Sequence, residues 1–243
     1  TDIEIICAND GSTDSSRKIL EEYQRKDDRI VVIDKANSGY GASMNRGLKV
    51  ATGEYIGIVE SDDFIEPDAM QTLYDAAKAV DADIARANYW LYWSTPEERN
   101  ELVEIISAER DGQVICPRED QWIFYQAPSI WSAIYRRSFL AENDIDFLET
   151  PGASYQDTGY VFKSIVSAER MVFSSTPILH YRQDNESSSI NSKGKAFCVC
   201  DEYAEMGRYI DGKFSDHSLR VLLEKMKYNT YIWNYERLGD DLK

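Results

Sequence analysis

The chain has 243 residues, is 43% apolar with 16 Tyr and 5 Trp, and carries a formal net charge of −16 at neutral pH. That size holds one large α/β domain, or one domain with an appendage, around a real hydrophobic core. The charge argues against nucleic acid as a partner, because phosphate backbones call for basic patches, whereas a single nucleotide can be bridged to an acidic site by a metal ion.

In chain order, Ile3 to Ala8 has the apolar, β-branched content of a buried strand, followed by the turn Asn9-Asp10-Gly11-Ser12-Thr13-Asp14. Ile19, Leu20 and Tyr23 then recur at helical spacing in a helix through Lys26, capped by Thr13 or Asp14. Ile30 to Ile33 reads as a second strand. A helix from about Ala42 to Val50 is closed by Gly53, and Tyr55 to Val59 is a third strand. Pro67 opens a helix to Val80, and Ile84 to Tyr92 is a further strand. Short connections in a β-α-β-α-β-α-β order predict an α/β fold with a doubly wound, mostly parallel sheet.

Past Ser94 the pattern changes. Thr95 to Arg99 reads as a loop, and Leu102 to Ile106 with Gln113 to Ile115 as a pair of strands leaving the sheet. Ile130 to Tyr135 is a buried strand and Arg137 to Asn143 a short helix. The loop from Pro151 to Asp157 opens a helix over Thr158 to Ser167, and Met171–Phe173 and Ile178–Tyr181 are short strands. Asn185 to Ser192 is a polar loop. Two helices, Ala196 to Ile210 and Ser215 to Leu238, form a C-terminal appendage, so the organisation is 1–192 and 193–243.

Cys7, Cys116, Cys198 and Cys200 lack zinc-site spacing and read as reduced thiols of a cytoplasmic protein. No apolar run approaches the ~20 residues of a membrane helix.

Three strands finish in polar clusters: Asn9-Asp10-Gly11, Asn37-Ser38-Gly39 and Glu60-Ser61-Asp62-Asp63. Parallel strands bring their carboxyl ends to one edge, where α/β sheets bind ligands. Glu60, Asp62 and Asp63 would repel one another there unless a cation or protons hold them together, and oxygen donors suit Mg²⁺ or Mn²⁺. Arg182, ending a strand, can meet a phosphate, and Trp131 can stack on a sugar ring or belong to the core. Asp157, read locally, is a helix N-cap.

These motifs, with Asn45-Arg46-Gly47-Leu48, Ala51-Thr52-Gly53-Glu54-Tyr55, Trp131 to Leu140 and Tyr155-Gln156-Asp157, resemble the family 2 glycosyltransferases of GT-A fold over Thr1 to about Ser192. The resemblance implies an inverting transfer of a hexosyl group from a nucleotide-diphosphate donor, a UDP-sugar first among them, to a saccharide or lipid-linked hydroxyl. It places the nucleotide on Asp10, Asn37, Gly39 and Asp62, with Asp10 at the nucleobase. It places Mn²⁺ or Mg²⁺ on Glu60, Asp62 and Asp63, and the catalytic base on Asp157. Glu60 stands where the family usually has Asp. It also implies bacterial surface-polysaccharide synthesis in the cytoplasm or on the inner face of the membrane, and a further inner strand before Ile3, between Ile3–Ala8 and Tyr55–Val59. The competing expectations are a sugar-phosphate nucleotidyltransferase and a domain that binds nucleotide or sugar without turnover.

Overall fold

The computed structural model of the chain describes residues 2–152, 155–185 and 197–238. Strands β1 (Ile5–Asp10) and β2 (Ile30–Lys35) pair in parallel, from Ile5 against Ile30 to Asp10 against Lys35, as a separate two-stranded sheet. Helix α1 (Ser16–Lys26) connects them, and Asp14 Oδ1 opens it by accepting from Ser16 N at 2.9 Å. Helix α2 (Tyr40–Val50) leads to β3 (Tyr55–Gly57), which is shorter than expected.

The second sheet has seven strands among the described residues. Its path runs β3, β8 (Ala133–Arg136), β5 (Ile84–Trp93), β9 (Met171–Arg182) and β4 (Phe64–Ile65). Strand β6 (Arg99–Val103) adds to β5 and β7 (Val114–Ile115) to β9. The α/β class is as expected, but a mostly parallel sheet is corrected to a mixed one. Among the described residues β1–β2 and β5–β9 run parallel, and the other five pairings are antiparallel. The reason is local: after β5 the chain turns back directly into β6 and returns through β8, and antiparallel neighbours need no crossover helix. The segments 102–106 and 113–115, expected to pair together, instead pair with β5 and β9 respectively. Strands β1 and β3 lie in different sheets, and Glu4 reaches between them, its Oε1 accepting from Thr52 N at 2.6 Å and Gly53 N at 2.7 Å.

Strand β9 is continuous where two short strands were predicted, and its register against β5 shifts on both sides of Asn88. The buried Asn88 amide fills the fault. Its Nδ2 donates to Ile106 O and Ser175 O at 2.9 Å, and its Oδ1 accepts from Ile106 N at 2.8 Å. A side chain thus supplies partners that an irregular ladder would leave unmade.

Helix α3 (Ala69–Ala79) buries Ala69, Leu73 and Ala77, spaced by four residues, against the sheet. The short helix α4 (Arg137–Glu142) follows β8, and α5 (Gln156–Ser167) is buried along most of its length. Helices α6 (Cys198–Lys213) and α7 (His217–Arg237) are joined by a turn in which Asp216 Oδ1 caps α7 by accepting from Ser218 N at 2.8 Å. Tyr203, Met206, Leu219 and Leu222 of this pair share one hydrophobic core with Phe162 and Ile165 of α5. The predicted polar loop after Asn185 and the predicted helix start at Ala196 lie outside the described residues. Among the described residues no helix is long and apolar enough to cross a membrane.

Candidate active site

Asp10 ends β1 facing the loop that leads from β2 into α2. Its Oδ1 accepts from Ser38 N at 2.8 Å, its Oδ2 from Gly39 N at 3.0 Å, and Lys35 Nζ, nearly buried, donates to the same carboxylate. These donors hold the carboxyl below its usual range against a desolvation that acts the other way. Asp10 therefore shapes the Asn37-Ser38-Gly39 loop as well as carrying charge. Gly39 turns there with φ of 93°, open to glycine at little cost, while Asn37 stays exposed. Next in sequence, Tyr40 N donates to Gly152 O at 2.9 Å.

The acidic turn follows β3. Tyr40 Oη donates to Glu60 Oε1 at 2.5 Å, and Asn185 Nδ2 to Asp62 Oδ2 at 2.7 Å. Arg182 ends β9 beneath the turn: its N–H donates to Asp63 Oδ1 and its Nε to Asp62 O, both at 2.9 Å. Its Nη1 reaches Ser94 Oγ at 3.1 Å and lies 3.5 Å from Asp184. The guanidinium expected to meet a phosphate is thus tied to the turn. Asp63 Oδ2 is buried with no partner among the described residues, and burial, with the Asp62 and Glu60 charges, pushes the Asp63 carboxyl up to about 7. Burial also raises Glu60, which the negative charges of Asp157 and Asp62 push further while the Tyr40 hydroxyl opposes them.

Asp157 lies in the first turn of α5 rather than before it, because Tyr155 takes the N-cap position in a left-handed conformation, φ 59°. Its Oδ1 accepts from Thr158 N at 2.9 Å. Burial pushes the carboxyl up to about 6. The turn is fixed from behind by buried Gln156, whose Nε2 donates to Thr150 Oγ1 at 2.8 Å.

Glu60, Asp62 and Asp157 line one cavity of about 920 Å³, with Tyr40, Trp131 and Tyr181. Trp131 is both core and lining: it packs edge-on to Tyr89 with ring centres 4.5 Å apart and lies 4.9 Å from Tyr181. Asp63, Arg182, Asp10, Asn37 and Gly39 are not part of this wall. The sequence reading missed Tyr40, although it directly follows the Asn37-Ser38-Gly39 cluster. It also missed the part of the lining that Tyr203 of α6 and Met226, Thr230 and Trp233 of α7 supply. Nor did it find Arg86, a buried strand residue whose Nη2 donates to Ala127 O and, at 2.9 Å, to Ser129 Oγ, fixing the loop behind Trp131.

Among the described residues no three acidic, His or Cys side chains converge on one point. Asp62 and Glu60 nevertheless share the cavity, with one oxygen each engaged by Asn185 and Tyr40. Mg²⁺-like ions are commonly held by one or two carboxylates plus substrate phosphates, so this all-oxygen set fits such a cation.

The putative glycosyltransferase EpsH of Bacillus subtilis is 32% identical over 200 residues, covering 74% of this chain and 52% of that protein. This chain spans about half the length of the first curated relatives it matches. S. aureus TarS, solved with UDP-GlcNAc, superimposes with a TM-score of 0.74 at 20% identity over 96% of this chain and 63% of that one. The mannosyltransferase PcManGT of Pyrobaculum calidifontis, solved with GDP-Man and Mn²⁺, gives 0.54 at 14% identity over 84% and 55%. At those identities the structures speak for the fold. The sequence goes further: residues 1–142, more than half of the chain, match the family described as Glycosyl transferase family 2, and the chain belongs to it.

Proposed function

We propose that this chain carries the transfer site of an inverting glycosyltransferase, moving a hexosyl group from a nucleotide-diphosphate donor to a hydroxyl acceptor by single displacement. The observation that carries the reading is Asp157, a carboxylate with its basicity raised, on the same cavity wall as Glu60 and Asp62. A base titrating near 6 is mostly ionised at neutral pH yet takes a proton more readily than an ordinary aspartate.

Thr158 N–H holds Oδ1, and in this reading the Asp157 carboxylate receives the acceptor's proton on Oδ2. The acceptor oxygen bonds to the anomeric carbon as the bond from that carbon to the diphosphate breaks, inverting the centre. Asp62 and Glu60 would hold a Mn²⁺ or Mg²⁺ ion, which neutralises charge on the departing diphosphate. Asp63 and Arg182 keep the acidic turn in place beneath them. In this reading the nucleotide extends beyond the cavity lining onto Asp10, Asn37 and Gly39, and Trp131 with Tyr181 offers a face to a sugar ring.

A UDP-sugar is the first donor to try, since TarS was solved with UDP-GlcNAc. The acceptor in this reading is a saccharide or a lipid-linked saccharide of bacterial surface polysaccharide, and the setting is the cytoplasm or the inner membrane face. Calorimetric titration with UDP, UTP and UDP-sugars, in Mn²⁺ and in chelator, tests the reading. Tight, cation-dependent binding of the diphosphate supports it. Preference for the triphosphate would point to nucleotidyl transfer, and binding without turnover on any hydroxyl acceptor would leave a non-catalytic domain.

A further inference from the structure

Glu202 of α6 has 1% of its surface exposed, and among the described residues neither of its carboxyl oxygens has a hydrogen-bond partner. It rests on α5 over Gly159, two residues beyond Asp157, and a Cβ at Gly159 would come within 2.1 Å of Glu202 Oε2. The glycine is what admits the carboxyl. From α5, Asp157 and Lys163 act on it; from its own helix, Asp201 and Glu205 do. Lys163, the one cation in that set, is engaged elsewhere, its Nζ donating to Asp146 Oδ1 at 2.8 Å. Among the described residues, three negative groups and a committed ammonium leave this buried carboxylate without a counter-charge, and such groups neutralise by keeping a proton.

We propose that Glu202 is a positioning residue for the base: as a neutral acid seated on Gly159 it holds α6 against the helix that presents Asp157. As an anion it would repel Asp157 and lose that seat. The proposal rests on the reading of Asp157 as the base and adds to it a second carboxyl that never touches substrate. Burial first, then the Asp157 charge, push Glu202 up to about 8. At neutral pH the two carboxyls therefore hold different charge states, Asp157 mostly ionised and Glu202 mostly protonated.

The test is kcat/KM across the pH range for the wild type and for Glu202→Gln, which has the shape of the neutral acid and cannot ionise. The wild type should lose activity on the alkaline side with a midpoint near 8, in kcat rather than donor KM, and Glu202→Gln should lack that descent. A purely structural Glu202 would leave the two profiles parallel, and an alkaline limb that persists in Glu202→Gln overturns the proposal. A carboxyl-carbon NMR titration of the wild type needs no variant: a midpoint near 8 supports the buried proton, and one in the ordinary carboxylate range overturns it. Absence of transfer by the wild type at any pH would sink the reading of Asp157 and the positioning role with it. The proton would still be decided by unfolding. A raised acid costs the folded state as pH climbs, so the wild type should lose stability relative to Glu202→Gln between about 4.5 and about 8 and level off beyond. A constant offset between the two overturns the buried proton.

Discussion

The hydroxyl of Tyr40 donates to Glu60 Oε1 at 2.5 Å, joining the first residue of α2 to the acidic turn after β3. Through Gly39, whose N–H donates to Asp10 Oδ2 at 3.0 Å, the same helix start is tied to the end of β1. Two separate sheets are thereby brought to one site by side-chain bonds on either side of a single peptide. Tyr40→Phe would strip a half-buried carboxylate of its donor. The expected cost is about 1–3 kcal/mol of stability, the usual penalty for a buried group left unpaired. Glu60 should also become harder to ionise, so cation-dependent nucleotide binding should move to higher pH, read by titration at several pH values.

Asp157→Asn separates the base from the helix end. Transfer should fall by roughly 10²–10⁴-fold, with donor affinity nearly unchanged. In the wild type kcat/KM should fall below about pH 6, where Asp157 is protonated. The stability effect has the opposite sense. The folded-state value is raised, so the wild type loses stability as pH climbs from about 4 through about 6, and the amide variant does not. Asp157→Asn should therefore be the more stable protein at neutral pH by thermal unfolding. Lower stability with intact turnover would return Asp157 to a structural role.

Asp62→Asn keeps the shape of the turn and removes a charge from the cavity. Binding of a nucleotide diphosphate in Mn²⁺ should weaken toward the level that the wild type shows in chelator. Calorimetry in both buffers checks this, and an unchanged dependence on cation in the variant would remove Asp62 from the set.

Asp10→Ala takes away the acceptor of two backbone N–H groups and the partner of a nearly buried ammonium. Losing one partner of such a pair costs more than the pair contributes, and a drop of about 3 kcal/mol in stability is expected. Nucleotide affinity should fall with it, because the loop before Tyr40 loses its anchor. Denaturant unfolding beside UDP titration distinguishes a loop anchor from a base-contacting residue alone, which would lose affinity without stability.

Gly41→Ala tests how closely α2 lies on the segment before α5. A Cβ there would come within 2.3 Å of Leu148 O, a backbone atom that cannot swing aside. Overpacking of this kind costs about 1–3 kcal/mol, and the shift in α2 should carry Tyr40 off Glu60. A variant with wild-type melting temperature would mean that the two segments part easily.

What the sequence made legible was local. The apolar run ending in Glu60-Ser61-Asp62-Asp63 and the polar loop closing on Asp157 each carry their signal within a few residues, and Glu60, Ser61, Asp62 and Asp157 face the cavity. The mixed sheet was not legible, since nothing within Ile84–Trp93 distinguishes a parallel neighbour from an antiparallel one. Period and composition gave Trp131 two readings, and it satisfies both. Arg182 read as a free phosphate ligand because its partners, Asp62 and Ser94, lie far from it in sequence. Glu202 carried no signal at all, because one acidic residue on an amphipathic helix looks like surface until α5 is laid over it.

The cavity is lined both by residues near position 60 and by Thr230 and Trp233. Its closure therefore waits on contacts of very large sequence separation, the slowest kind to form because the intervening loop entropy must be met first. Strands β5 and β9 can pair while α7 is still undocked, and the early fold would then present Trp131 and Tyr181 to solvent as an open shelf. A complete cavity would be the last property this chain acquires on folding and the first it gives up on partial unfolding.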